Sequence, residues 1–223
     1  MNLIYQYYYS QVNIPEYVNL SKRSVEKYAG LIQADYLFID KPPPIHVGYG
    51  SFFPFLDKMC FNYDKICSVD CDVLATQNYK NIFDESDNDR ISLNHISSGP
   101  LIENEITFKY PNAVWNNIGH GNSGIVVFPA STYQNIIEYI GDLSLHYRNL
   151  LNYRSLRPRI GVYDQVILNL FSLKHGFFDL NYTFNHLMHR YRHDLRFDST
   201  FIHYCKKYKD QIYSDFLSNK ILK

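Results

Sequence analysis

Two aspartates one residue apart, Asp70 and Asp72, stand where a short apolar run, Lys65-Ile-Cys-Ser-Val69, ends. Carboxylates this close repel one another in a partly buried crevice. A divalent cation relieves that repulsion. Oxygen ligands at this spacing suit Mg²⁺ or Mn²⁺, which keep coordination positions open for phosphate oxygens. Such an ion offsets charge developing on a departing diphosphate. In open α/β sheets, ligands bind at the carboxyl edge of the strands, which is where this pair falls. Asp-x-Asp alone is equally the signature of a solvated turn after a strand.

The elements that must hold the pair read as strands alternating with helices, an α/β pattern with a largely parallel sheet. Residues 2–9 read as an aromatic first strand, and Asp35 to Ile39 as a second. Ser21 and Ser24 are candidate N-caps for a helix running to Ala34, with Val25, Tyr28, Ala29 and Ile32 inward. The prolines after Lys41 demand a loop. Phe52 to Phe61 reads as helical after Pro54, and residues 84–121 as a long irregular loop of the kind that carries specificity. Gly124 to Phe128 reads as a strand. A helix capped by Ser131 follows, its stripe Tyr133, Ile136, Ile137, Ile140 and Leu143. An Arg-rich, Pro-broken loop spans 148–161. Asp164 to about Lys174 is then a helix, with Val166, Ile167, Leu170 and Phe171 inward and Gly176 as its C-cap. His186, His189 and His193 have helical-face spacing and read, among interleaved arginines, as a polar surface rather than a zinc site. An amphipathic helix near 208–222 ends the chain.

Composition narrows the classes. The 223 residues carry 22 basic and 22 acidic side chains, a balance that argues against charge-driven nucleic-acid binding. The 46% apolar content suits one domain with a sizeable core. Cys60, Cys67, Cys71 and Cys205 form no Cys-x-x-Cys pair, which disfavours a zinc ribbon or dithiol. No run of about 18 apolar residues predicts a membrane helix. The start, Met1-Asn-Leu-Ile-Tyr, lacks the marks of a signal peptide, so the expected location is cytoplasmic. Gly-rich phosphate loops, Gly-x-Ser-x-Gly and Cys-His nucleophile patterns are absent.

The stretch Tyr63-Asp-Lys-Ile-Cys-Ser-Val-Asp-Cys-Asp-Val-Leu-Ala-Thr-Gln-Asn-Tyr-Lys-Asn-Ile-Phe-Asp84 resembles the metal-binding signature of GT-A glycosyltransferases, above all glycosyltransferase family 8 and glycogenin-like enzymes. Three further segments follow in that family's order. Asn122-Ser123-Gly124-Ile-Val-Val-Phe128 is similar to the Asn-x-Gly strand lining the sugar site. Asp164-Gln165-Val-Ile-Leu-Asn169 is similar to its Asp-Gln helix start, and Phe201-Ile-His203-Tyr204 to its late His motif. Lys209 falls where the family often has a lysine contacting the diphosphate. Lys206 stands where that family often has Gly, and no Pro-Trp follows Lys209.

The resemblance implies a single GT-A domain over residues 1–223, a mostly parallel sheet flanked by helices. Nucleotide-sugar binding falls in about 1–128, and the acceptor- and metal-completing part in about 129–223. It implies an enzyme that transfers a sugar from a nucleotide diphosphate sugar, UDP-linked above all, to a glycan or other hydroxyl acceptor. Asp70, Asp72 and His203 would hold Mn²⁺ or Mg²⁺, with Asp72 the more direct ligand and Asp70 bridging or reaching the ribose. Neutral imidazole suits Mn²⁺ at pH 7. Asn122 and Gln165 would hold sugar hydroxyls. Asp164 would bond a sugar hydroxyl, stabilise positive charge at the anomeric carbon or deprotonate an acceptor; helix capping suits it equally. Asp40 is a candidate for the base or ribose. Tyr7 is a candidate for stacking on the base, though core packing accounts for it as well. Family 8 implies retention of configuration, while the residues leave inversion open. Two alternatives keep the same residues: a haloacid dehalogenase-type phosphatase with Asp70 as nucleophile, and a non-catalytic sugar-nucleotide or glycan-binding module.

Overall fold

The computed structural model describes residues 1–42, 47–96, 120–141 and 163–223. The central sheet has six strands in the order β2-β1-β3-β6-β5-β7. These are β1 (Asn2–Tyr7), β2 (Asp35–Ile39), β3 (Lys65–Val69), β5 (Ser92–Ile96), β6 (His120–Pro129) and β7 (Phe178–Asp179). A second sheet orders β4 (Val73–Ala75), β9 (Phe201–His203) and β8 (His186–Leu187) as β4-β9-β8. The helices are α1 (Glu16–Leu31), α2 (Phe53–Leu56), α3 (Ile82–Glu85), α4 (Tyr133–Ile140), α5 (Tyr163–His175), α6 (Asn181–Phe184) and α7 (Gln211–Leu217). None of the described helices is long and apolar enough to cross a membrane.

Strands β1, β2 and β3 run parallel, and β6 runs antiparallel to both β3 and β5. That reversal lays the start of β6 beside the end of β3, with Val69 opposite Ile125. Side chains along the buried strands alternate between two cores, as the pleat requires. Leu3, Tyr5, Ile66, Val126 and Phe128 pack with Phe52, Phe55, α4 and α5. Ile4, Cys67, Val69, Ile125 and Val127 pack on the other face with Val25, Tyr28 and Ala29 of α1. A third cluster joins Leu74 and Ile202 of the small sheet to Leu20 of α1 and to Ile212 and Phe216 of α7.

Several boundaries differ from those expected. Helix α1 starts after Pro15, whose extended backbone (φ −60°, ψ 146°) sets its entry. Ser21 and Ser24 lie inside it, fully buried, and cap nothing. Ser24 Oγ instead accepts from Ala75 N (2.9 Å) and donates to Ala75 O (3.1 Å), pinning the helix to β4. The expected helix over 52–61 is three short pieces, because Pro54 starts α2 and Lys58 takes a left-handed conformation (φ 61°) that ends it. The expected 84–121 loop contains α3's end, all of β5 and the first residues of β6; residues 97–119 lie outside those described. Ser131 Oγ donates to Asn88 O rather than capping α4. The expected Leu143 and the Arg-rich 148–161 loop also lie outside the described residues. The three spaced histidines share no helix: His186 is a buried residue of β8, and His193 begins a 3-10 turn. The last helix is shorter than read, Gln211–Leu217. Gly176 does end α5, at φ 77°, with its N–H donating to Ser172 O at 2.8 Å.

Candidate active site

The end of β3 is held from both sides. Asp70 N donates to Gly124 O at 2.8 Å, and Asp70 O accepts from Gln6 Nε2 at 3.0 Å. Gln6 is wholly buried and bonds also to Ser21 of α1 and Tyr36 of β2, so three elements fix that backbone. The chain then turns through Cys71, whose Sγ reaches Tyr7 O at 3.4 Å. The carbonyl of Asp72 accepts from Tyr204 N at 2.8 Å, and the antiparallel pairing of β4 with β9 sets Val73 opposite His203. Register alone therefore delivers an imidazole from the end of the chain to the two carboxylates.

His203 Nε2 lies 3.1 Å from Asp72 Oδ1 and 3.5 Å from Asp70 Oδ2. Lys209 Nζ lies 3.2 Å from Asp72 Oδ2 and packs over the Tyr17 ring at 4.8 Å. One ligand atom from each of Asp70, Asp72 and His203 falls within 4.8 Å of the others. The imidazole is buried at 4% exposure, while the Asp70 side chain is 48% exposed, so the cluster opens to solvent on the Asp70 side. Gly124 makes the imidazole's position available: a Cβ there would lie 2.1 Å from His203 Cε1.

Charge at this cluster is unevenly shared. Partial burial at the cluster raises the Asp70 carboxyl above its usual range; the carboxylates of Asp72 and Asp164 add to it, and His203 works against it. Burial also works to raise Asp72, but His203 and Lys209 prevail and bring it down to about 2. Burial opposes protonation of His203, yet Cys205 and Asp72 raise it well above the ordinary imidazole range. Two carboxylates beside one imidazole are donors of the kind that give up protons when a divalent cation binds.

The amide residues gather beside it. Asn122 Oδ1 accepts from Gly124 N (3.0 Å) and from Asn185 Nδ2 (2.8 Å), and Asn122 Nδ2 lies 3.5 Å from Gln165 Oε1. Asp164, inside the first turn of α5, accepts from Gln165 N (2.7 Å) and Ser123 Oγ (3.4 Å); neither is the N-cap bond to an amide two or three residues ahead that its sequence position suggested. Burial lifts it to about 6, against the nearby Ser51 hydroxyl and the hydrogen bonds from Gln165 and Ser123.

Tyr7 and Asp40 stand at the carboxyl ends of β1 and β2, the same sheet edge as Asp70. Tyr7 stacks on Phe53 with ring centroids 6.0 Å apart, lies against Gly50, and donates to Lys41 O at 3.1 Å. Asp40 is exposed. Among the described residues, neither side chain bonds to the carboxylate–imidazole cluster. Sequence reasoning missed Gln6, Asn185 and Tyr17, and gave Ser123, inside a quoted motif, no role of its own. The only signal was at Gly124, a glycine inside a β run, which marks close approach of another group.

No protein-family model matches the chain, and no curated protein matches it in sequence. Solved structures do match its fold. A glycosyltransferase involved in glycosylation of the major capsid of PBCV-1 superposes with a TM-score of 0.63 at 12% identity, covering 97% of this chain and 99% of that one. The bifunctional glycosyltransferase WbbM gives 0.60 at 10% identity, over 97% of this chain and 49% of that one. Mouse xyloside xylosyltransferase 1 gives 0.54 at 11% identity, over 93% and 99%. The chain thus has a glycosyltransferase fold, of the GT-A kind its central sheet and Asp-x-Asp edge describe. Within that fold, Asp70, Asp72 and His203 form a candidate divalent-metal cluster.

Proposed function

We propose that this chain is a metal-dependent glycosyltransferase of family 8 type, moving a sugar from a nucleotide diphosphate sugar, with a UDP-sugar as the expected donor, to a hydroxyl acceptor such as a glycan. One observation carries the reading: two carboxylates and an imidazole converge within 4.8 Å at the carboxyl edge of β3, in a chain with a glycosyltransferase fold. The donor set fits a divalent ion. Its mixture of oxygens with one imidazole nitrogen favours Mn²⁺ over Mg²⁺, which prefers oxygen alone. Bound there, the ion supplies positive charge against the diphosphate that departs.

The remaining roles belong to side chains. Lys209, held beside Asp72, adds a cationic donor for diphosphate oxygens. Asn122 and Gln165 offer amides to sugar hydroxyls. Asp164, lifted to about 6, is poised to bond a sugar hydroxyl, to face charge at the anomeric carbon or to accept a proton. Tyr7 and Asp40 border the nucleoside, and Asp70, the most open carboxylate, bridges toward the ribose. The donor half is assigned to residues 1–128 and the acceptor- and metal-completing part to 129–223. Resemblance to family 8 favours retention.

Isothermal titration of UDP with and without Mn²⁺ tests the reading. Binding should appear only with the metal and vanish in Asp72→Ala. Equal, negligible heats under both conditions would refute it. Affinity unchanged by Asp72→Ala would remove the metal assignment.

A further inference from the structure

We propose that Asn185 is a positioning residue that orients His203 for metal binding by fixing the proton on its Nδ1; the inference rests on the metal reading of the Asp70–Asp72–His203 cluster. One donor here is beyond choice. The backbone N–H of Gly124 can only donate, and it meets Asn122 Oδ1 at 3.0 Å. Asn122 therefore presents its carbonyl oxygen at that point. The Asn185 atom facing the same oxygen at 2.8 Å must itself be a donor, so it is the amide nitrogen. The carbonyl oxygen of Asn185 is then turned to His203 Nδ1, at 3.3 Å.

A carboxamide oxygen accepts and never donates, so Nδ1 carries the proton. The other nitrogen, Nε2, is the one that faces Asp72 Oδ1 and Asp70 Oδ2 at 3.1 and 3.5 Å. With Nδ1–H committed to Asn185, a metal entering the cluster meets the lone pair of Nε2. A partner that holds the far nitrogen of a ligating histidine fixes its tautomer and ring angle, as carboxylates and carbonyls do elsewhere. Burial keeps the chain of bonds free of competing water: Asn185 is 0% and His203 3% exposed. Gly124 belongs to the same device, since a Cβ there would sit 2.4 Å from Nδ1.

The test titrates Mn²⁺ into the full chain and its Asn185→Ala variant. Loss of the orienting amide should weaken binding tenfold or more. A folded variant that binds Mn²⁺ as tightly as the parent overturns the proposal. A second readout, on the parent alone, decides the matter even where the variant does not fold. In the chain loaded with diamagnetic Cd²⁺, ¹⁵N NMR of His203 should show a protonated Nδ1 and a metal-bound Nε2. Metal on Nδ1 would overturn the assignment. Should the parent bind neither ion, the metal reading itself fails. The Nδ1–H resonance of the metal-free chain then tests the hydrogen bond separately: Asn185→Ala should shift it, and a resonance that stays in place in the folded variant would refute the bond.

Discussion

Gly124 shows how much a single hydrogen atom governs. Its backbone conformation is open to any residue, yet a methyl group there would collide with the imidazole of His203 and with Asn122 Oδ1. Gly124→Ala should therefore fold, at a cost of about 1–3 kcal/mol from overpacking, but bind Mn²⁺ at least tenfold more weakly. Calorimetric titration and thermal melting together read the two effects. His186 makes a separate prediction. Burial, together with His193 and Arg196, lowers it to about 4, so it is neutral when folded. An unfolded imidazole titrates near 6.5. Its contribution is thus level above about pH 6.5 and declines as pH falls toward 4, where the unfolded chain takes up the proton first. Urea unfolding at pH 7.5 and pH 5 should show the gap between the parent and His186→Gln narrowing on acidification. At this scale the acidic pair stood out by type and spacing, whereas His203 and Lys209 were singled out only by the order of motifs in the family resemblance. Asn185 and Gln6 were not, since an isolated amide carries no local pattern and gains its partner only through the register of a distant strand.

Elements were legible where a run of apolar residues had one plausible period. Strands β2 and β3 have the expected bounds because their runs are short, apolar and flanked by polar turns. Strand β5 was hidden, since Asn94 and His95 interrupt it and the Asp87-Asn88-Asp89 turn precedes it. Helix α1 began earlier than read because serine serves two purposes, capping and tertiary bonding, and the sequence does not say which. The C-terminal elements depend on an ion pair that composition alone conceals. Arg196 meets Asp215 through Nε (2.8 Å) and Nη2 (3.0 Å), and Tyr204 donates to the same carboxylate at 2.7 Å. Asp215 is 4% exposed, so removing the guanidinium strands a buried charge. Arg196→Leu should destabilise the chain by about 3–5 kcal/mol, measured by urea unfolding. Because Tyr204 N also bonds Asp72 O, weaker Mn²⁺ binding should accompany the loss.

Over the whole molecule, the candidate site lies where the two sheets meet: Asp70 follows the carboxyl end of β3, Asp72 precedes the amino end of β4 and His203 ends β9. A ligand that joins both sheets should stabilise the native state by mass action. With Mn²⁺ present, UDP at about 100 times its Kd should add roughly 2.7 kcal/mol. The melting temperature should rise accordingly in the parent and stay unchanged in Asp72→Ala. The pairing of β4 with β9 has a further consequence for how the protein is made. The ribosome releases the two carboxylates long before it releases the imidazole and the ammonium that neutralise them. During translation the two aspartates wait in solvent, and their cluster closes only once β9 has emerged and paired with β4.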